Sequence, residues 1–284
     1  MQRASPTHVT CTFHALHVRA ALASCARSIR ISASLSPLTT LRTTSQPLWL
    51  IDLDDTLHRA TPVIFGRMNR SMTEYVMRHI GLPEHEANNL RQQYWQRYGA
   101  TLLGLMRRHG TDPRHFLHET HQFPDLHAII DFDRAVRRWL KHLPGRRVLV
   151  SNAPRHYVMA VLRAMGIARY FDAIETIESM RFVPKPAASS LKKILVRQRA
   201  PLRRTVMIED NLANLRTAHR LGLRTVWIAG PEERAAWSYS TKDASKDAGS
   251  TPATRAWPAH VHLRVNSVLQ LTKHRKLCLP TLIK

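Results

Sequence analysis

The sequence predicts an α/β protein: a doubly wound parallel sheet with a helical cap domain inserted after its first strand. Three observations carry this. From residue 144 onward, short apolar runs alternate with amphipathic stretches, the pattern of parallel strands joined by crossover helices. An isolated apolar run, LWLI, lies far upstream and ends abruptly in acids. The stretch between them, residues 62–143, reads as helix almost throughout. The core is thus expected from 48–61 and 144–271, with the cap at 62–143.

The elements follow in order. Residues 48–53 read as a strand. In IFGRMNRSMTEYVMRHI, Met68, Met72, Tyr75, Val76 and Ile80 share one helical face, and Gly81 marks the end. Helices are expected across 84–97, 101–108, 113–121 and 132–142, punctuated by Pro113, Pro124 and Pro144-Gly145. Strands at 146–151, 173–177, 204–209 and 224–228 alternate with helices at 154–165, 187–199 and 211–221; Gly166 and Gly222 stop the first and third. Residues 230–258 are Ser/Thr/Ala/Pro-rich and read as a flexible excursion. Apolar character returns at 260–271 as a last strand and short helix, before a basic tail at 272–284.

Residues 1–47 contain no acid and show no strand pattern. Their composition reads either as upstream sequence from an early assigned start or as a targeting segment. Cys11, Cys25 and Cys278 form no CxxC pair or disulfide framework, so reduced thiols and a cytoplasmic location are expected. No apolar run is long enough to span a membrane. The net charge of +23 favours anionic partners without choosing among them. No dense Lys/Arg run with interleaved aromatics marks a nucleic-acid face. His115, His118 and His121 recur every third residue beside Glu119. A metal site is the alternative there, but that spacing drifts around a helix, so the segment reads as a solvated face.

The chemistry gathers at strand ends. In an extended strand Asp52 and Asp54 share a side and Asp55 faces away. Paired carboxylates invite Mg²⁺, which prefers oxygen ligands. LVSNAP puts Ser151 and Asn152 at a second strand end, and MIEDNLANL puts Glu209 and Asp210 at a third. RFVPKPAAS holds Lys185 between two prolines, which stiffen the backbone. In a parallel sheet these ends meet at one edge, where α/β ligand sites form.

Asp52-Leu53-Asp54-Asp55-Thr56, then Ser151, Lys185 and the Glu209-Asp210 pair resemble, in order, the four motifs of the haloacid dehalogenase-like hydrolases. The resemblance implies Asp52 as nucleophile forming an aspartyl phosphate. It implies Asp54 as the acid and base for leaving group and water. Lys185 would neutralise the phosphoryl group, with Thr56, Ser151 and Asn152 binding it. Asp52, Asp54 (through its carbonyl), Glu209 and Asp210 would hold Mg²⁺. These roles require Asp52 ionised and Asp54 able to hold a proton. The dehalogenases of the superfamily lack an acid at the second position, so Asp54 favours phosphate chemistry.

DLDDTLH at 52–58, Met68-Asn69-Arg70-Ser71-Met72, YGATLLGL at 98–105, LVSNAP and MIEDNLANL look like the pyrimidine 5′-nucleotidase branch, which implies a nucleoside monophosphate substrate. Asn69, Arg70, Tyr98 and Thr101 are the cap candidates for substrate contact, Tyr98 as an aromatic platform for a base. A phosphatase for phosphoglycolate or a sugar phosphate is the alternative. A basic nucleic-acid-binding protein without activity is the competing class.

Overall fold

The computed structural model describes residues 46–230 and 258–273. The expected N-terminal extension, the 230–258 excursion and the 272–284 tail lie almost entirely outside them, as do the three cysteines. Six strands form one parallel sheet: β1 (Leu48–Ile51), β2 (Arg146–Val150), β3 (Ala173–Glu175), β4 (Thr205–Glu209), β5 (Arg224–Ile228) and β6 (Leu263–Val265). Their order is β3-β2-β1-β4-β5-β6, so β1 is central and the order reverses beside it. Ligand crevices of open α/β sheets form at such a switch point.

Side-chain alternation divides the sheet between two cores. Trp49, Ile51, Leu149, Val206 and Ile208 enter one, while Leu48, Leu50, Val148, Val150 and Met207 enter the other. Both faces are covered, which is why these strands read as continuous apolar runs rather than alternating ones.

The helices are α1 (Gly66–Ile80), α2 (Glu84–Tyr98), α3 (Thr101–His109), α4 (Pro113–Thr120), α5 (Leu126–Ile129), α6 (Ala135–His142), α7 (Arg155–Met165), α8 (Ala188–Arg197), α9 (Leu212–Arg220) and α10 (Gln270–Lys273). The apolar faces of α1 to α4 converge on Tyr75, Val76, Ala87, Leu102, Leu105, Phe116 and Leu117, all buried. A Cβ on Gly104 would fall 2.2 Å from the Tyr94 ring, so only glycine lets α3 approach α2 this closely. Between them Gly99, at φ +81°, turns the chain in the left-handed conformation.

α6 behaves differently from the other helices of the expected cap. Its stripe Val136, Trp139 and Leu140, continued by Leu143, packs with Trp49 and Ile51 of β1 and with α7. Residues 126–143 therefore cover a face of the sheet together with α7, and α8 and α9 cover the other. The amphipathic period identifies α6 as a helix but not the surface its stripe meets. Residues Thr61–Phe65 form a π-helical turn that leads into α1. Among the described residues, no helix is long and apolar enough to cross a membrane.

Candidate active site

Register brings the strand ends together. Ile51 pairs with Leu149 on one side and Ile208 on the other. The next residues, Asp52, Val150-Ser151 and Glu209, therefore lie side by side. β1 stops at Ile51, two residues short of expectation, and Asp52 N–H still donates to the Ile208 carbonyl at 3.0 Å. Asp52 and Asp54 both line the crevice, but as neighbours in a loop rather than as same-side residues of a strand. Asp55 takes a left-handed φ of 57° and turns away. Its Oδ1 accepts from the N–H groups of Ala60 and Thr61 at 2.8 and 3.0 Å, and its Oδ2 accepts from the Thr61 hydroxyl.

Lys185 is the hub. Its buried Nζ donates to Asp52 Oδ1 at 2.5 Å, to Glu209 Oε2 at 2.8 Å and to the Val150 carbonyl at 2.7 Å. The Asn152 side chain holds the lysine's backbone, accepting from Lys185 N–H at 2.8 Å and donating to Lys185 O at 3.1 Å. The Asn152 amide thus anchors the Lys185 loop. Ser151 is buried, its Oγ accepting from Ala153 N–H at 3.0 Å. Thr56 departs from expectation: its hydroxyl points to Asp210 Oδ1 at 3.5 Å, and it is not among the residues lining the crevice.

Asp52, Glu209 and Asp210 present oxygens that all lie within 4.8 Å of one another, against the single ammonium of Lys185. Burial, then the Glu209 charge, pushes Asp52 up to about 8, with Lys185 opposing. Burial and the charges of Glu209 and Asp52 push Asp210 up to about 10. Lys185 is raised, because its two carboxylate partners outweigh its burial. Three crowded carboxylates facing one cation, all with oxygen donors, fit a divalent ion of the Mg²⁺ kind. Such an ion would relieve the repulsion that now raises the acids.

Two side chains hold Asp54. Its Oδ1 accepts from Tyr157 Oη at 2.7 Å and lies 3.0 Å from His58 Nε2. Burial raises the Asp54 carboxyl, but His58, Tyr157 and His121 together bring it below the ordinary carboxylate range. This reverses the expected pairing of an ionised Asp52 with a proton-holding Asp54 for the protein without a bound cation. His58 closes the DLDDTLH stretch, though its spacing from Asp54 does not reveal the contact; Tyr157 looks like any apolar position of α7.

The crevice encloses about 660 Å³ between the sheet edge and α1 to α4. Asn69 and Thr101 line it as expected, while Arg70 and Tyr98 do not; the Tyr98 hydroxyl accepts from Arg108 Nε at 3.0 Å. The exposed aromatic at the crevice is Trp95, one helical turn earlier, 62% accessible. His121 is buried and lines the crevice, contrary to a solvated face. It follows the last residue of α4, where the chain turns inward and its Nδ1 meets the Thr120 hydroxyl at 2.9 Å.

A family model described as haloacid dehalogenase-like hydrolase matches residues 48–222. Phosphate metabolism protein 8 of Saccharomyces cerevisiae is 23% identical over 195 residues, which are 63% of this chain and 60% of the yeast protein. The match therefore spans less than two thirds of that relative's length. A HAD phosphatase from Thermococcus onnurineus superposes with a TM-score of 0.52 at 16% identity, covering 80% of this chain and 96% of that one. CbbY from Rhodobacter sphaeroides, solved in complex with phosphate, gives 0.51 at 18% identity over the same shares. At these identities the two structures share the fold. With the family model spanning more than half of its length, the chain belongs to the haloacid dehalogenase-like hydrolases.

Proposed function

We propose that this hydrolase is a Mg²⁺-dependent phosphomonoesterase that acts through an aspartyl phosphate on Asp52, with nucleoside 5′-monophosphates, pyrimidine ones foremost, as substrates. The observation that carries the reading is Lys185 Nζ bridging Asp52 and Glu209, with Asp54 on the same crevice wall. A nucleophile, a fixed cation and a second acid are what phosphoryl transfer needs, and a dehalogenase needs no second acid.

A carboxylate oxygen of Asp52 attacks phosphorus, forming an acyl phosphate while the bond to the substrate oxygen breaks. Asp54 gives that oxygen its proton. Water then attacks phosphorus, Asp54 takes the water's proton, and phosphate leaves with Asp52 regenerated. Lys185 opposes the rise of Asp52 and neutralises charge on the transferring group. Tyr157 and His58 fix the Asp54 carboxyl for delivery to the leaving oxygen. A bound phosphate dianion beside Asp54 raises its hold on a proton, countering those two bonds. Ser151 and the N–H of Asn152, on residues that line the crevice, hydrogen-bond the transferring oxygens. When bound by Asp52, Glu209, Asp210 and the Asp54 carbonyl, Mg²⁺ supplies Lewis-acid neutralisation of the phosphoryl oxygens.

Substrate choice is read from the crevice. Trp95 offers a stacking face, Gln92, Gln96, Asn69 and Arg91 offer polar edges, and Met68, Met72 and Phe65 offer apolar wall. That mixture suits a flat heteroaromatic base joined to a phosphate. The yeast relative carries a name that places it in phosphate metabolism. Released phosphate is measured over a panel of UMP, CMP, purine monophosphates, sugar phosphates and phosphoglycolate, for the wild type and Asp52→Asn. UMP and CMP should be turned over fastest, and Asp52→Asn should be folded and inactive. Turnover by Asp52→Asn refutes the nucleophile; a preference for phosphoglycolate refutes the substrate class alone.

A further inference from the structure

We infer that the cap carries a second metal site, formed by His79, His115 and Glu119, which takes a transition cation of the Zn²⁺, Co²⁺ or Ni²⁺ class. It lies apart from the crevice, and none of its three residues lines that cavity. The inference does not rest on the phosphatase reading.

The three side chains come from two helices. His79 is in the last turn of α1; His115 and Glu119 are one turn apart on α4, so they share a face. Their ligand atoms all lie within 4.8 Å of one another. His115 Nε2 is 3.1 Å from Glu119 Oε1, and His79 Nε2 is 3.6 Å from Glu119 Oε2. Two imidazoles and a carboxylate form a donor set that suits zinc-like cations and leaves a coordination position for water. Mg²⁺ wants oxygen alone and is served by the acids of the crevice.

The second observation concerns the group behind the ligands. Tyr75 is buried, and its hydroxyl lies 3.0 Å from His115 Nδ1. A ligating histidine nearly always gives its other ring N–H to such a partner, which fixes the tautomer and the ring's direction. With the hydrogen on Nδ1 and donated to Tyr75 Oη, the Nε2 lone pair faces Glu119 and any cation between them. The same tyrosine ring supports His79, with centroids 4.1 Å apart, and the His79 and His115 rings meet edge to face at 5.2 Å. One buried residue thus orients both imidazoles before a metal arrives. Arg78 Nη2 occupies Glu119 Oε2 at 2.8 Å, but the guanidinium is mostly exposed and competes weakly. A cation here would tie α1, which supplies Met68, Asn69 and Met72 to the crevice, to α4, which supplies Phe116 and Leu117.

The test is a Co²⁺ titration of the full chain under saturating Mg²⁺, followed by visible absorption. The wild type should bind one equivalent with the intense band of a four-coordinate nitrogen and oxygen site, which cobalt on carboxylates and water does not give. His79→Ala and His115→Ala should lose the band and keep the metal-free melting temperature and hydrolytic rate. Tyr75→Phe should weaken binding about tenfold or more. Arg78→Gln should tighten it by freeing Glu119, a gain that a merely structural role for the pair would not produce. Absence of the band in the wild type, or its survival in both histidine variants, overturns the site.

Discussion

Replacing Lys185 by Met tests the electrostatics of the crevice most directly. Methionine keeps the length and apolar bulk of the stem and removes only the ammonium. The lysine is 4% exposed and spends its donors on Asp52, Glu209 and the Val150 carbonyl, at 2.5, 2.8 and 2.7 Å. Without it two buried carboxylates face each other with no counter-charge, and a carbonyl loses its partner. Removing one member of a buried ion pair costs about 3–5 kcal/mol, because the charge left behind is uncompensated. At roughly 2–4 °C per kcal/mol for a domain of this size, the melting temperature in EDTA should fall by about 6–20 °C. Excess Mg²⁺ should recover part of that loss, since a cation among the same oxygens supplies the missing charge. Phosphate release should fall by about 10²-fold or more even with Mg²⁺ saturating, as on removing a preorganised electrostatic group. Scanning calorimetry with and without Mg²⁺ provides the measurement. A Lys185→Met protein that melts within about 2 °C of the wild type in EDTA would show that the acids are not burdened by one another, and the case for a cation-demanding cluster would fail.

Two further outcomes follow from the same geometry. Trp95→Ala should raise KM for UMP about fivefold, the lower end of base–aromatic stacking for so exposed a ring, and leave glycerol phosphate turnover unchanged; equal effects on both substrates would remove the platform. Glu175 is pushed up by burial but more than offset by hydrogen bonds from Arg197, Ser179 and Gln198, so its folded carboxyl lies below the ordinary 4.5. A lowered acid contributes stability above its unfolded value and loses it as pH falls through the folded one. Glu175→Gln should therefore narrow the difference in urea midpoint between pH 6 and pH 3; an unchanged difference would refute the pairing.

Asp52, Ser151 and Glu209 were legible because each sits where a strand run breaks, and a parallel sheet must gather such ends on one edge. Lys185 joins them from the loop between β3 and α8, where its flanking prolines marked it. Asp54 reaches the expected crevice by another route: β1 ends before it, and a left-handed Asp55, not strand alternation, sends the third acid away. Thr56 behaves as support for Asp210, a role its place in the motif does not reveal. Of the side chains that hold Asp54, Tyr157 was invisible: it is 103 residues away, and nothing local marks it.

From its residues alone, this chain declares its alternation of strands and helices, its glycine stops, and the polar residues that end its strands. Those properties are local, written in periods of two and 3.6 residues and in backbone preferences. Only the folded molecule decided that α6 covers the sheet, that Trp95 rather than Tyr98 reaches the crevice, and that His79 joins His115 and Glu119 instead of the histidines nearest them in sequence. Each of those depends on which surfaces meet. Burial rewards any apolar surface almost equally, so the choice is made by packing shape across the whole molecule and leaves little trace in a short stretch of sequence.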